Sequence, residues 1–418
     1  MSPAPRSLRT HVGLLGRRNV GKSSVLNALT RQEVAIVSPT PGTTTDPVEK
    51  PMELLPLGPV LFVDTAGVDD EGALGAQRIA KTRKVLDRID LALLVAEAGS
   101  WGPFEEALLA EVRARSLPVV VVLNTADLAA GDPAVAARLA SEGVPLVETS
   151  ATSGAGVDEL RQTLLTAFPA EALEGRRIVG DLVSPGDLVV LVTPIDAEAP
   201  KGRLILPQVQ ALRDLLDAGA ISVVVREHEL AAALAGLSRP PRLVVTDSQA
   251  FRLVDSVTPP GVLLTSFSIL FARFQGDLAE MVRGVCAVGR LRAGDRVLVA
   301  EACTHHPTGE DIGRVKLPRW LRERAGVPLE FVTVQGRDFP DDLSPYALVV
   351  HCGSCMGNRR EMLSRTLRCR AASVPITNYG LAIAFSLGIL ERALGPFPDA
   401  LEAFRAARAE AVPVEVPS

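Results

Sequence analysis

Residues 16–24 read GRRNVGKSS and fit the spacing G-x-x-x-x-G-K-[ST]. In such a loop glycines let the backbone turn its N–H groups toward phosphate oxygens, a lysine reaches the β/γ-phosphates, and a hydroxyl ligates Mg²⁺. The phosphate contacts are therefore expected from Gly16, Asn19, Val20, Gly21, Lys22, Ser23 and Ser24, with Lys22 as the reaching cation and Ser23 on the metal. DTAG (64–67) offers Asp64 for the magnesium shell and the Gly67 N–H for the γ-phosphate. Between these motifs, PGTTTDP (41–47) supplies Thr44 to complete the metal shell. NTAD (124–127) places Asn124 beside Asp127, whose carboxylate would accept two hydrogen bonds from guanine N1 and N2. SAT (150–152) adds Ser150 and Ala151, and a backbone N–H there would meet guanine O6. Lys22, Thr44, Asp64 and Gly67 form the expected catalytic set for phosphate-bond hydrolysis, taking GTP to GDP.

A second constellation is built from sulfur and imidazole. Cys303, His305, His351, Cys352 and Cys355 read C-x-H-x45-H-C-x-x-C, and His306 adjoins them. Three of the five cysteines and three of the five histidines fall in these two short segments, so they are expected to meet. Zinc as Cys₃His or Cys₂His₂ is one outcome. Three thiolates on an iron–sulfur cubane, with one iron left to a weaker ligand, is the other. A structural zinc site usually takes a second close ligand pair, whereas a single Cys303 comes from one strand here. His305, His306, His351 and Glu301 crowd the fourth position, which favours an exchangeable one. Cys286 and Cys369 are expected in the core, and His11 and His228 in structural or surface roles. Arg359, Arg360, Arg365, Arg368 and Arg370 read as a solvated helix face, of which Arg359 and Arg360 lie nearest the thiols and would attract an anion.

Positioning these groups falls to alternating short apolar runs and helical segments. HVGLLG (11–16), VLFVDT (60–65), LALLVAE (91–97), PVVVVLN (118–124) and PLVETS (145–150) predict strands with helices between most of them. Continuous apolar strands with intervening helices indicate a parallel sheet covered on both faces. ALEGRRIVGD (172–181) reads as a linker. DLVVLVT (187–193), ISVVVRE (221–227) and RLVVTD (242–247) form a second strand set, and one helix is expected over 266–285. DRVLVAEAC (295–303), LEFVTVQG (329–336) and YALVVHC (346–352) form a third. The predicted fold is α/β in three domains, at 1–171, 172–265 and 266–418. With the last strands parallel neighbours, Cys303 and the Cys352/Cys355 pair would open on one sheet edge, at a strand end and a helix start.

Bulk properties narrow the class. A chain of 418 residues is too long for one core. Net charge is −5, against a nucleic-acid binder with a basic face. The N-terminal MSPAPRSLRT has no apolar signal region, and YGLAIAFSLGIL (379–390) is shorter than the roughly 20 residues that span a bilayer. Five cysteines do not make a disulfide scaffold, so a cytoplasmic protein is expected, engaging neither nucleic acid nor membrane.

The five ordered motifs at strand ends resemble the GTPase superfamily. Two departures stand out: Thr125 occupies the usual lysine of the base-reading motif, and Val68 follows DTAG where a water-orienting glutamine sits in some relatives. Weaker nucleotide affinity and slow intrinsic hydrolysis are therefore expected. Asn19 resembles the asparagine of potassium-activated GTPases, implying K⁺ as a further cofactor. With C-x-H-x45-H-C-x-x-C, and with TPIDAEAPKGRLILPQVQ, DIGRVKLPRWL and HCGSCMGNRREM, the chain resembles the HydF family of [FeFe]-hydrogenase maturation GTPases. That resemblance implies a P-loop GTPase domain followed by a dimerisation domain and an iron–sulfur cluster-binding domain. It implies a homodimeric scaffold whose [4Fe–4S] cluster is held by Cys303, Cys352 and Cys355, with His305 or His351 as candidate fourth ligand. It implies a diiron precursor as cargo, and apo-[FeFe]-hydrogenase and two radical-SAM maturases as partners. The competing reading is a tRNA-modification or ribosome-associated GTPase with a zinc module.

Overall fold

The computed structural model describes residues 9–30, 48–55, 57–65, 84–168, 176–195, 204–302, 311–336, 338–354 and 357–411. The chain divides into two compact units, Met1–Arg176 and Arg177–Ser418.

In the first unit β1 (Thr10–Leu15) leads through the phosphate loop into α1 (Lys22–Thr30). There follow β2 (Val48–Leu54), β3 (Gly58–Asp64), β4 (Leu91–Glu97), α2 (Pro103–Ala114), β5 (Val119–Asn124), α3 (Pro133–Ser141), β6 (Leu146–Glu148) and α4 (Val157–Ala167). The sheet order is β2-β3-β1-β4-β5-β6, parallel except for β2, which runs antiparallel to β3. Alternate residues of each strand feed two cores. Val12, Leu14, Leu93 and Val122 pack with α1 and α4 on one face. Leu15, Leu94, Val121 and Leu123 pack with α2 and α3 on the other. Each such buried side chain contributes about 1.5–3 kcal/mol, and burial on both faces is why these strands read as unbroken apolar runs.

The second unit carries two four-stranded, all-parallel sheets. The first is built from β7 (Leu188–Val192), β8 (Ile221–Val225), β9 (Leu243–Thr246) and β10 (Leu263–Ser266), in the order β10-β9-β7-β8. Helices α5 (Leu206–Asp217), α6 (Leu230–Gly236) and α7 (Phe251–Val257) connect them. Next come α8 (Phe267–Gln275) and α9 (Leu278–Val285). The second sheet comprises β11 (Arg296–Glu301), β12 (Glu330–Gln335), β13 (Leu348–His351) and β14 (Ile376–Asn378), in the order β12-β11-β13-β14. Its helices are α10 (Leu317–Ala325), α11 (Arg359–Ala371), α12 (Tyr379–Ser386), α13 (Leu390–Ala393) and α14 (Pro398–Ala411). One apolar cluster runs through both sheets, from Ile178 to Phe404. Leu298, Ala300, Val349, Ile376 and Cys369 form a smaller cluster.

Two expectations are corrected, and the linker, inside which the two units divide, is given an anchor. The single helix over 266–285 is two: Ser266 caps α8 by accepting the Ile269 N–H, and Asp277 caps α9 by accepting the Glu280 N–H. Gly276 separates them, where a Cβ would lie 2.9 Å from the Ala272 carbonyl oxygen. The linker over 172–181 is anchored at its far end, because the N–H groups of Ile178, Val179 and Gly180 all donate to Asp214 Oδ2 at 2.8, 2.8 and 2.7 Å. Strands β2, β10 and β14 were not expected at all. Among the described residues no helix is long and apolar enough to cross a membrane.

Candidate functional site

In the first unit the chain goes from β1 to β3 on one side and to β4 on the other, so the crevice of an open α/β sheet falls at the end of β1. The phosphate loop lies there. Gly16 holds φ +142° and Gly21 φ +86°; a Cβ on the first would run into the Val95 carbonyl oxygen and on the second into Asn124 Nδ2. Only glycine fits both positions. Lys22 is buried and its ammonium donates to the carbonyl oxygens of Gly16 (3.0 Å) and Arg17 (2.5 Å), which stretches it across the loop. Ser23 Oγ donates to Asp64 Oδ2 at 2.5 Å. Asp64 Oδ1 is buried with no hydrogen-bond partner among the described residues. Burial raises the Asp64 pKa above the ordinary carboxylate range, against the pull of Ser23, Lys22 and Lys50. A hydroxyl and an orphaned carboxylate oxygen, both beside a phosphate loop, fit the shell of a magnesium ion.

The base-side motifs are tied to the same loop. Asn124 Nδ2 donates to the Val20 carbonyl oxygen at 3.1 Å, and Asn124 Oδ1 accepts the Ala151 N–H at 3.2 Å. One side chain thus locks the phosphate loop to the SAT segment. Thr125 sits at φ 64° and Asn19 at φ 62°, both left-handed. Asp127 is exposed and Ser150 is buried, while Ser24 stands half-buried on α1. Arg17 forms a two-pronged ion pair with buried Glu105 (2.7 and 3.0 Å), fastening the loop to α2. Thr44 and Gly67 lie outside the described residues, as does Val68.

Sequence reasoning missed Lys50. It is buried on β2, its ammonium has no hydrogen-bond partner among the described residues, and burial lowers its pKa against the attraction of Asp64. Val48 pairs with Asp64 and Lys50 with Phe62, which puts the lysine within two residues of the carboxylate along the ladder. The signal was the single basic residue in VEKPMEL, between Glu49 and Glu53, and nothing in its spacing marks it.

The thiol edge belongs to the second unit. β11 and β13 are parallel neighbours with Ala300 opposite His351. The chain leaves β11 to form β12 on one side and returns to form β13 on the other, so the strand order reverses between β11 and β13. Cys352 is the first residue beyond β13, and its N–H donates to the Ala300 carbonyl oxygen at 2.9 Å. Its Sγ accepts the N–H of Ala302 at 3.0 Å and of Ser354 at 3.4 Å. Ala302 precedes Cys303 in the chain and Ser354 precedes Cys355. Cys303, His305, His306 and Cys355 themselves lie outside the described residues. Helix α11 starts at Arg359 behind an Asn358 cap, and the two N–H donors named on Cys352 lie before that helix start.

Behind the edge stands a polar support absent from the sequence reading. His351 is buried; its Nδ1–H donates to the Cys352 carbonyl oxygen at 2.9 Å and its Nε2 accepts from Arg365 Nη1 at 2.7 Å. Burial, reinforced by the Arg365 charge, lowers its pKa to about 3, so the ring is neutral. Both nitrogens are engaged, and the expectation that His351 offers a fourth ligand is not met in this arrangement. Arg365, expected on a solvated face, is buried and also donates to the Gly336 carbonyl oxygen (2.7 Å) and Glu361 (2.6 Å). Arg359 donates to the carbonyl oxygens of Phe274 (3.3 Å) and Gly276 (3.0 Å), bracing the break between α8 and α9. Glu301 accepts from Gln335 Nε2 at 2.9 Å and from the Tyr379 hydroxyl at 3.4 Å. Burial, together with Cys352, Glu301 and Asp311, raises the Tyr379 pKa well above its usual value. Cys286 and Cys369 are buried as expected, and burial pushes Cys369 up to about 12.

Phosphate loop, magnesium-shell carboxylate and base-side asparagine on one sheet edge define a P-loop GTPase. A family model described as 50S ribosome-binding GTPase matches residues 11–125. Behind it, the hydrogen maturase F dimerization domain matches 178–276 and the hydrogen maturase F tetramerization domain matches 279–396. The chain belongs to the hydrogen maturase F family. Among curated proteins it is similar to GTPase Der of Wolinella succinogenes, 39% identical over 175 residues, which is 40% of this chain and 37% of that protein. It is also similar to the tRNA modification GTPase MnmE of Parasynechococcus marenigrum, 39% identical over 166 residues, 39% of this chain and 35% of that one. The chain thus spans little more than a third of the length of these relatives. Among solved structures, Aquifex aeolicus Era bound to GDP·AlF4⁻ aligns at 22% identity and TM-score 0.36, over 59% of this chain and 97% of that one. The G domain of the T. maritima FeoB transporter aligns at 26% and 0.31, over 38% and 98%.

Proposed function

We propose that the chain is a GTP-hydrolysing scaffold that holds a [4Fe–4S] cluster on Cys303, Cys352 and Cys355 and carries a diiron precursor to apo-[FeFe]-hydrogenase. One observation carries this reading: Cys352 Sγ accepts N–H groups from Ala302 and Ser354, the residues immediately before the other two cysteines. Cys303 follows Ala302 and Cys355 follows Ser354 in the chain, which supports reading the three cysteines as one ligand set. N–H donors on a sulfur fit a thiolate that ligates a metal, and such donors tune a cluster's potential. The fourth position falls to a weaker ligand, with His305 as the candidate, because both nitrogens of His351 are in use.

At the nucleotide, Ser23 and Asp64, with Thr44, would hold Mg²⁺, which neutralises charge on the β- and γ-phosphates. Lys22 turns from its carbonyl partners to the phosphates, and Gly67 offers its N–H to the γ-phosphate. Asp127, Asn124, Ser150 and Ala151 select guanine. K⁺ beside Asn19 would add positive charge at the phosphates. The dimerization and tetramerization matches support an oligomer, for which a homodimer is the basic unit. The two radical-SAM maturases and the hydrogenase are the proposed partners. We assign the nucleotide domain to 1–171, the dimerisation domain to 172–265 and the cluster domain to 266–418.

Anaerobic reconstitution with iron and sulfide, followed by metal and labile-sulfide analysis and EPR, tests the assignment. About four irons and four sulfides per chain are expected, with an EPR signal that shifts on adding cyanide or imidazole. Stoichiometric zinc without labile sulfide would replace the scaffold with the zinc-module alternative.

A further inference from the structure

A separate cavity of about 260 Å³ lies in the second unit, away from the thiol edge. Arg290, Arg324 and Arg408 line it. Arg324 and Arg408 stand in the last turns of α10 and α14, where the carbonyl dipole favours a cation, and Arg290 ends the short 3₁₀ segment Cys286–Arg290. That accounts for two of the charges but not for three such ends at one hollow. Among the described residues none of the three has a carboxylate partner. The one acidic residue in the lining, Glu391, is already held by Arg405 at 2.7 Å. All three arginines are exposed, and three guanidinium groups lining one hollow favour an anion between them.

Two aromatic rings also line the cavity. Phe385 and Phe404 meet edge to face, with centroids 6.3 Å apart. The exposed Arg324 lies 4.8 Å above the Phe385 ring. Cys286 also lines the cavity, and burial raises its thiol pKa despite Arg290 and Arg408. It is therefore a neutral wall group and not a nucleophile.

We propose that this cavity binds a small organic anion carrying phosphate or carboxylate groups on an apolar body. The guanidinium forks take the charged end and the phenylalanine pair takes the body. The volume suits a ligand smaller than a nucleotide cofactor.

The test is calorimetric titration of the full chain, saturated with Mg·GDP so that the phosphate loop is occupied. The probes are inorganic phosphate, phenyl phosphate and benzene-1,2-dicarboxylate. Phenyl phosphate, the dicarboxylate or both should bind once per chain and at least about ten-fold tighter than inorganic phosphate; which one does separates a phosphate ester from a carboxylate. Arg324→Gln and Arg408→Gln should each weaken binding about ten-fold, and Phe404→Leu should erase the preference for a ring-bearing probe. Circular dichroism verifies that each variant is folded. Absence of binding by all three probes, or equal affinities in wild type and arginine variants, overturns the proposal. So does a change of oligomeric mass in the arginine variants with anion affinity unchanged, which would assign these side chains to contacts between copies of the chain.

Discussion

Thr125 combines two unfavourable features at the base-reading corner. It is β-branched and holds φ 64°, a backbone region that costs such a residue about 1–3 kcal/mol. It also lacks the aliphatic stem that a lysine would lay over the base. The strain persists because the surroundings fix it: the Thr125 carbonyl oxygen accepts from Leu128 and Ala129, and the Ala126 N–H donates to Thr149. Thr125→Lys restores the stem and removes the β-branch. Guanine-nucleotide affinity should rise about ten-fold, read with a fluorescent GDP analogue, while turnover per bound nucleotide is unchanged. Equal or weaker affinity in that variant would mean that the corner is built around threonine. At this scale the sequence was most legible where one residue type can do the job, as with Gly16, Gly21 and Lys22. It was least legible where a side chain's role depends on a distant partner. Nothing in the spacing of Arg365 from His351 announces their 2.7 Å contact.

Strands with two buried faces declared themselves as apolar runs, which is why β1, β4 and β5 lie within a residue of their expected bounds. β2 did not, because it is an antiparallel edge strand with a proline and alternating polar residues. β10 was hidden by running directly into α8, so that one apolar stretch covered a strand and a helix. The anchored end of the linker has the clearest energetic consequence. Asp214 Oδ2 satisfies three successive N–H groups at the entry to the second unit. Asp214→Ala strands those donors, at about 1–3 kcal/mol for each one that water cannot reach. Urea unfolding followed at the second unit should therefore lose at least about 2 kcal/mol, with the first unit's transition unmoved. A loss below about 0.5 kcal/mol would show that water replaces the carboxylate there.

The phosphate loop and Cys352 lie in different compact units, each at a point where the strand order of its own sheet reverses. The phosphate loop needs β1, β3 and Asn124 of β5; the thiol edge needs β11 and β13 with α11 behind them. Among the described residues, each side chain named in one site belongs to that site's own unit. Assembly of each site is therefore separable, whatever signal later passes between them. Lys22→Ala should lower GTP hydrolysis at least about a hundred-fold, since it removes the charge that meets the phosphates in the transition state. Its iron and sulfide content after anaerobic reconstitution should equal wild type. Cys352→Ser should do the reverse, losing the cluster because its Sγ is where the N–H groups of Ala302 and Ser354 converge, while GTP turnover continues at the wild-type rate. Loss of iron in the lysine variant, or of hydrolysis in the cysteine variant, would mean that one site is needed to build the other. The nucleotide site and the proposed cluster site would then be a single device rather than two units sharing a chain.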